Sequence, residues 1–148
     1  MKSRSGFVIT LGSVPVAWAS KLQTETALST MEAEYILLSQ ALRVLLPLRI
    51  ILDEVSISLS LKSNPHSAIK STIIEDNQAC LSLATSDLPK MTPRSKSIAV
   101  KYHWFREHLE PGVIDIVPIA SGEQLADIFT KPLGPATFAY LCEKLLGW

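Results

Sequence analysis

The segment "LSTMEAEYILLSQAL" (residues 28–42) opens an otherwise apolar run with two carboxylates, Glu32 and Glu34, one position apart. On a helix these two residues point roughly 200° away from each other, so they cannot serve the same neighbour. Ser29 and Glu32 have the spacing of a capping box. There the serine hydroxyl accepts from a first-turn N–H and the glutamate reaches back to the serine N–H. Glu32 thereby has a structural task. Glu34 has none, and it stands at the margin of the apolar stripe, where an unpaired carboxylate is costly. Its residue type leaves two readings open, a solvated or ion-paired flank, which is the commoner outcome, or a ligand. Asp76 follows the strand-like "TIIE" and precedes a helix. It reads either as an N-cap or as a carboxylate at a strand tip, where open α/β sheets place their ligands. Asp127 lies in "SGEQLADIFT", where Ser121 and Gln124 make a second capping box and leave Asp127 without capping duty, as a surface acid or a ligand. Three acids on three elements could converge on Mg²⁺, which takes oxygen ligands and keeps several waters.

The elements that must position these acids are legible in outline. "SGFVITLG" (residues 5–12) and "VPVAWAS" (residues 14–20) are β-rich runs joined at "GS", a hairpin signal. After a polar connector, Met31, Tyr35, Leu38, Leu42 and Leu45 fall at i, i+4, i+7, i+11 and i+14, one helical stripe. Pro47 is expected to interrupt that helix, although the apolar pattern resumes to about Val55. Residues 56–71 are Ser-rich and read as a loop. "STIIED" is a short strand and "NQACLSLAT" a helix. "SDLPKMTPRSK" is a connection, and "SIAVKYHWFREHLE" is an amphipathic stretch ended by Pro111 and Gly112. "VIDIVPI" is a further strand, "SGEQLADIFT" a capped helix and "PATFAYLCEKLLG" a final helix. Mixed strands and helices predict one α/β or α+β domain over residues 1–148 with a mixed sheet.

The chain has 148 residues, 47% hydrophobic and 19% charged, a composition that belongs to a folded domain. Fourteen basic and fourteen acidic residues give zero formal charge, which excludes a strongly basic overall surface and leaves only a local patch for nucleic acid. Such a patch lies between Lys90 and His108, where Lys90, Arg94, Lys96, Lys101 and Arg106 face one acid, Glu107. Arg94, Lys96 and Lys101 are the candidates for phosphate contact. Trp104 and Phe105 read as mostly core. His103 and His108 are five apart, unlike paired helical metal ligands at i, i+4, and neither is taken as a ligand. Cys80 and Cys142 form no metal or redox pattern, and no signal peptide is visible. The most apolar stretch, residues 41–52, reads as too short to span a bilayer. An intracellular, reducing location with no membrane partner is expected.

Four blocks, in order, carry a resemblance: "ALSTMEAEYILLSQAL", "EDNQACLSLA", "SKSIAVKYHWFREHL" and "GEQLADIFTKPL". Together they resemble the ribonuclease H domain at the C-terminal end of the Pol polyprotein of Ty1/copia-type retrotransposons, over nearly the whole chain. The resemblance implies an RNase H-like fold, a five-stranded mixed sheet flanked by helices. It implies hydrolysis of the RNA strand of an RNA–DNA hybrid with two Mg²⁺ ions, Mn²⁺ being possible, held by four carboxylates. Glu34 matches the helix glutamate, Asp76 the strand-end aspartate and Asp127 the aspartate near the C-terminus. The implied partners are the hybrid and the upstream reverse transcriptase region, in a cytoplasmic virus-like particle or the nucleus.

Two departures from the family pattern are visible. The strand carrying the first aspartate precedes the text that "SRSGF" resembles, and no Asp or Glu occurs here before Glu25. The chain is therefore expected to be truncated at its N-terminus and to lack the first, central strand, between the hairpin and the strand ending at Asp76. The family also often has histidine where this sequence has Ser97. Both departures predict impaired or absent cleavage. The alternative is a non-catalytic nucleic-acid-binding or protein-interaction remnant of a retroelement.

Overall fold

The computed structural model describes residues 4–23, 29–61, 68–85 and 103–147. Strands β1 (Arg4–Leu11) and β2 (Val14–Leu22) form the expected antiparallel hairpin, in register from Arg4 opposite Leu22 to Leu11 opposite Val14, with an irregularity at Ile9/Thr10. Gly12 makes the turn at φ +62°, a left-handed conformation that a residue without Cβ enters freely.

Helix α1 spans Thr30–Ser58. Ser29 caps it as expected: its backbone is extended and its Oγ accepts from the Glu32 N–H at 3.1 Å. The apolar stripe faces the core, with Tyr35, Leu38 and Leu42 buried and Met31 and Leu45 packed beside them. The interruption expected at Pro47 does not occur, and one 29-residue helix runs through it. A proline removes one backbone bond from a helix interior and costs about 3 kcal/mol. That loss is offset by anchors on both sides. Leu45 and Leu46 pack on the core, while the Arg49 guanidinium donates to Ser71 Oγ and to the Val113 carbonyl. Because it is undivided, α1 is long and apolar enough to cross a membrane by length and composition alone, unlike the short segment read at residues 41–52. Its first half is committed to the core.

Strand β3 (Ser71–Glu75) pairs in parallel with β4 (Ile114–Pro118), Ser71 opposite Ile114 and Glu75 opposite Pro118. Helix α2 (Gln78–Thr85) packs against α1, β3 and β4, and helix α3 (Pro135–Leu146) closes the fold. "SGEQLADIFT" does not form the expected capped helix. It makes two 3-10 turns, Ser121–Glu123 and Leu125–Phe129, and no side chain caps either. The Gln124 amide instead donates to the Ile74 carbonyl at 3.1 Å, on a strand that among the described residues has a partner on one side only. That strand carbonyl needs a donor, and it draws away the glutamine side chain whose oxygen the capping box would have used as an acceptor.

The core gathers Tyr35, Ile36, Leu38, Leu42, Cys80, Ala84, Phe105 and Ile114. Phe105, in the 3-10 turn His103–His108, is fully buried with its ring 5.1 Å from that of Tyr35. Trp104 is half-buried, and its Nε1–H donates to the buried Ser39 Oγ at 2.8 Å. Among the described residues the expected mixed sheet is divided into two pairs, β1–β2 and β3–β4, that are not bonded to each other. A cavity of about 720 Å³ separates them, lined by β1, β3, one face of α1 and the turn carrying Asp127. The architecture is α+β, with small sheets and three α-helices among the described residues.

Candidate functional site

Glu34, Asp76 and Asp127 all line that cavity. Each arrives there for a local reason. The Ser29 cap fixes where α1 starts, so Tyr35 and Leu38 turn into the core and Glu34 projects half-buried from the edge of the stripe. Asp76 is not the cap of α2. Asn77 is: its Oδ1 accepts from the Cys80 N–H at 3.0 Å and its carbonyl from the Leu81 N–H at 2.9 Å. Asp76 is thereby released to face the cavity from the tip of β3. Asp127 is buried in its 3-10 turn, and the hairpin seats that turn. Ser20 Oγ donates to the Phe129 carbonyl at 2.6 Å, and Gly6 makes room for the approach. A Cβ on Gly6 would meet Phe129 Cβ at 2.6 Å and Thr130 Cγ2 at 2.8 Å.

Two further charged groups, not singled out from the sequence, complete the site. Glu75 is buried, its Oε1 accepts from the Asn77 N–H at 2.8 Å, and the Cys80 thiol donates to it. Burial raises the Glu75 carboxyl above its usual range, against the pull of these donors, and burial followed by the nearby carboxylates raises the Cys80 thiol. The signal for Glu75 was present in "STIIE": Ile73 and Glu75 share the inner face of a period-two strand. Lys131 is the other. Its Nζ lies 2.9 Å from Asp127 Oδ2 and 3.8 Å from Asp76 Oδ2. The i, i+4 spacing of Asp127 and Lys131 announces the first contact. The second joins two separate elements and has no local signature. On the rim, Glu123 accepts from Tyr140 Oη at 2.6 Å and from Lys144, and the Lys144 and Tyr140 donors hold it below the ordinary carboxylate range.

The electrostatics follow from this crowding. Glu34 is pushed up to about 7, first by burial, then by the charges of Glu75 and Asp76, with Asp127 adding and Lys131 opposing. For Lys131, burial works toward deprotonation. The hydrogen bond to Asp127 and the charges of Asp127, Asp76 and Glu34 outweigh it and raise its affinity for the proton. Lys131 is thus the ammonium whose charge acts on Glu34, Asp76 and Asp127 together. An all-oxygen set of three carboxylates suits a hard divalent cation in donor chemistry. As they stand, no three Asp, Glu, His or Cys side chains among the described residues are gathered closely enough to hold a metal ion. The phosphate-contact candidates Arg94, Lys96 and Lys101, and Ser97 with them, lie outside the described residues.

Comparison with known proteins locates the chain. It is 32% identical over 146 residues, 99% of its length, to the retrovirus-related Pol polyprotein from transposon TNT 1-94 of Nicotiana tabacum. It is 32% identical over 143 residues to that from transposon RE2 of Arabidopsis thaliana, and 29% identical over 143 residues to that from transposon RE1 of the same plant, each match covering 97% of the chain. The chain spans about a tenth of the length of these relatives, 10%, 9% and 9% respectively. No family model matches it, and no solved structure matches it at a significant level. Its homologues are thus retrovirus-related Pol polyproteins of plant transposons, related to it along its whole length, and the chain is retroelement-derived.

Proposed function

We propose that this chain is the ribonuclease H-like module of a retrotransposon Pol polyprotein, and that its substrate class is the RNA–DNA hybrid. The observation that carries the reading is the arrival of Glu34, Asp76 and Asp127, from a helix, a strand tip and a turn, at one cavity. The cavity itself adds support. It lies between β1 and β3, each with a strand partner on one side only among the described residues, where the resemblance puts a further strand bearing a fourth carboxylate.

Glu34, Asp76 and Asp127 would hold Mg²⁺ or Mn²⁺, which when bound supplies activation of water and stabilisation of the leaving oxygen in phosphodiester hydrolysis. The chain's own residues do the rest. The Asp127 turn is fixed by Gly6 and Ser20, and Asp76 is freed by Asn77. Glu34, near half-protonation at neutral pH, can release its proton when positive charge enters the cleft. Arg94, Lys96 and Lys101 would meet the phosphate backbone, and the reverse transcriptase portion of the same polyprotein would be the neighbouring partner. Three of the family's four carboxylates are present in this sequence, so cleavage by the 148-residue chain is expected to fall by orders of magnitude, below detection.

The test combines fluorescence anisotropy on a labelled RNA–DNA hybrid and on duplex DNA with a cleavage assay, in Mg²⁺ and in Mn²⁺. Preferential hybrid binding is expected, weakened by salt and strengthened by the divalent ion, without cleavage. Absence of any preference for the hybrid would end the reading in favour of a protein-interaction remnant. Robust RNA cleavage abolished by Asp76→Asn would keep the family activity and overturn its impairment.

A further inference from the structure

We propose that Lys131 is a tethered counter-cation that competes with divalent metal for Asp76 and Asp127 and so sets the metal concentration at which the cleft fills. The inference rests on the reading of these acids as an ion site and adds to it a residue that controls occupancy. The geometry is specific. One ammonium makes a charge-assisted hydrogen bond of 2.9 Å to Asp127 and reaches Asp76 at 3.8 Å, thereby bridging two of the three proposed ligands. Both carboxylates are largely covered, with side-chain exposures of 12% and 14%, whereas the Lys131 side chain is 46% exposed. The acids are therefore fixed and the cation is the part that can leave.

The backbone explains why Lys131 is held so near. The turn after Asp127 closes through the Thr130 and Lys131 N–H groups, both donating to the Asp127 carbonyl, at 3.1 and 3.0 Å. That places the lysine stem directly over the carboxylate of the same residue. A monovalent cation on a short tether has a high local concentration and needs no ligand geometry beyond hydrogen bonding. A divalent ion gains more from the same oxygens but must first displace the ammonium, which then turns to solvent through its exposed side.

The test is Mn²⁺ binding by the full chain, followed by electron paramagnetic resonance of free Mn²⁺ and by calorimetry, with thermal melts in parallel. Lys131→Met is expected to bind Mn²⁺ about tenfold more tightly than the wild type, the effect of removing one charge-assisted pair. It should also melt lower without metal and gain more from Mn²⁺ than the wild type does. Lys131→Arg, which keeps the charge, should bind no more tightly than the wild type, and it preserves the comparison if the Met variant fails to fold. Asp76→Asn should weaken binding in every background. Equal Mn²⁺ affinity in wild type and Lys131→Met, with a lower melting point for the variant, would reduce Lys131 to a structural ion pair and overturn the proposal while leaving the ion site intact. Weaker binding by Lys131→Met would overturn it too, making the lysine an organiser of the ligands. Absence of Mn²⁺ binding in all variants would overturn both the proposal and the ion-site reading.

Discussion

Replacing Glu34 with glutamine should stabilise the metal-free protein, and only above a defined pH. In the fold the Glu34 carboxyl is raised from 4.5 to about 7, first because it is buried and then because Glu75, Asp76 and Asp127 are nearby. In the unfolded chain it returns to the ordinary range. A raised acid binds its proton more tightly in the native state, so native stability falls as pH rises from about 4.5 to about 7 and then levels off. The full shift corresponds to about 3 kcal/mol at 1.36 kcal/mol per pH unit. Glu34 is only half-buried and its neighbours are screened by solvent, so a realistic loss is roughly 1–2 kcal/mol. Glu34→Gln cannot ionise and escapes that loss. Urea denaturation of both proteins at half-unit steps from pH 4 to pH 9, with chelator present, should give near-coincident stabilities at pH 4. The variant should lead by roughly 1–2 kcal/mol at pH 8, the gap opening across the window just given. A pH-independent gap would refute the account by showing that folding leaves the Glu34 carboxyl unshifted, and a variant that loses ground as pH rises would refute it by showing Glu34 paired with positive charge rather than crowded by negative charge.

Two further outcomes test how the site is mounted. Gly6→Ala forces a Cβ within 2.8 Å of Phe129 and Thr130 side-chain atoms and should cost about 1–3 kcal/mol in urea denaturation, whereas Gly122→Ala, with nothing within 4 Å, should be close to neutral. Trp104→Phe removes the donor to the buried Ser39 hydroxyl and should cost about 1–3 kcal/mol. Adding Ser39→Ala should recover part of that loss, read as the coupling energy of a double-mutant cycle.

How much of this was legible in the sequence depends on how local the determinant is. The start of α1 was legible, because Ser29 and Glu32 declare it within four residues, and the helical period then sets where Glu34 meets the cavity. The hairpin and the stripe from Met31 to Leu45 were legible for the same reason. Asp76 was ambiguous because Asp76 and Asn77 are both good caps, and only the Asn77 contact with the Cys80 N–H decides between them. Pro47 misled because the local rule is a penalty rather than a prohibition, and the contacts that outweigh it, at Ser71 and Val113, lie far along the chain. Ser121 and Gln124 misled because an open strand carbonyl, that of Ile74, took the glutamine. The separation of the strands into two pairs, and the bridge from Lys131 to Asp76, are long-range facts with no period or spacing to announce them.

The charge balance of the cleft constrains what can bind there. Glu34, Glu75, Asp76 and Asp127 crowd one another, the Lys131 ammonium beside them already bridges two of these acids, and Lys144 on the rim is engaged by Glu123. A phosphate backbone brought to this surface meets net negative charge, which opposes association at short range. Nucleic acid can therefore approach the acids only if a cation enters with it. The alternative is that it binds through the basic residues Arg94, Lys96 and Lys101 rather than through the acids. The two routes differ in kind. Binding through the basic segment is governed by counterion release and indifferent to the acids. Binding at the cleft must be coupled to metal, and by linkage each ligand must then strengthen the other by the same factor. If the cleft is the site, the Lys131 ammonium opposes metal directly and hybrid indirectly. One residue would then tune both affinities in the same direction, although the hybrid need never touch it.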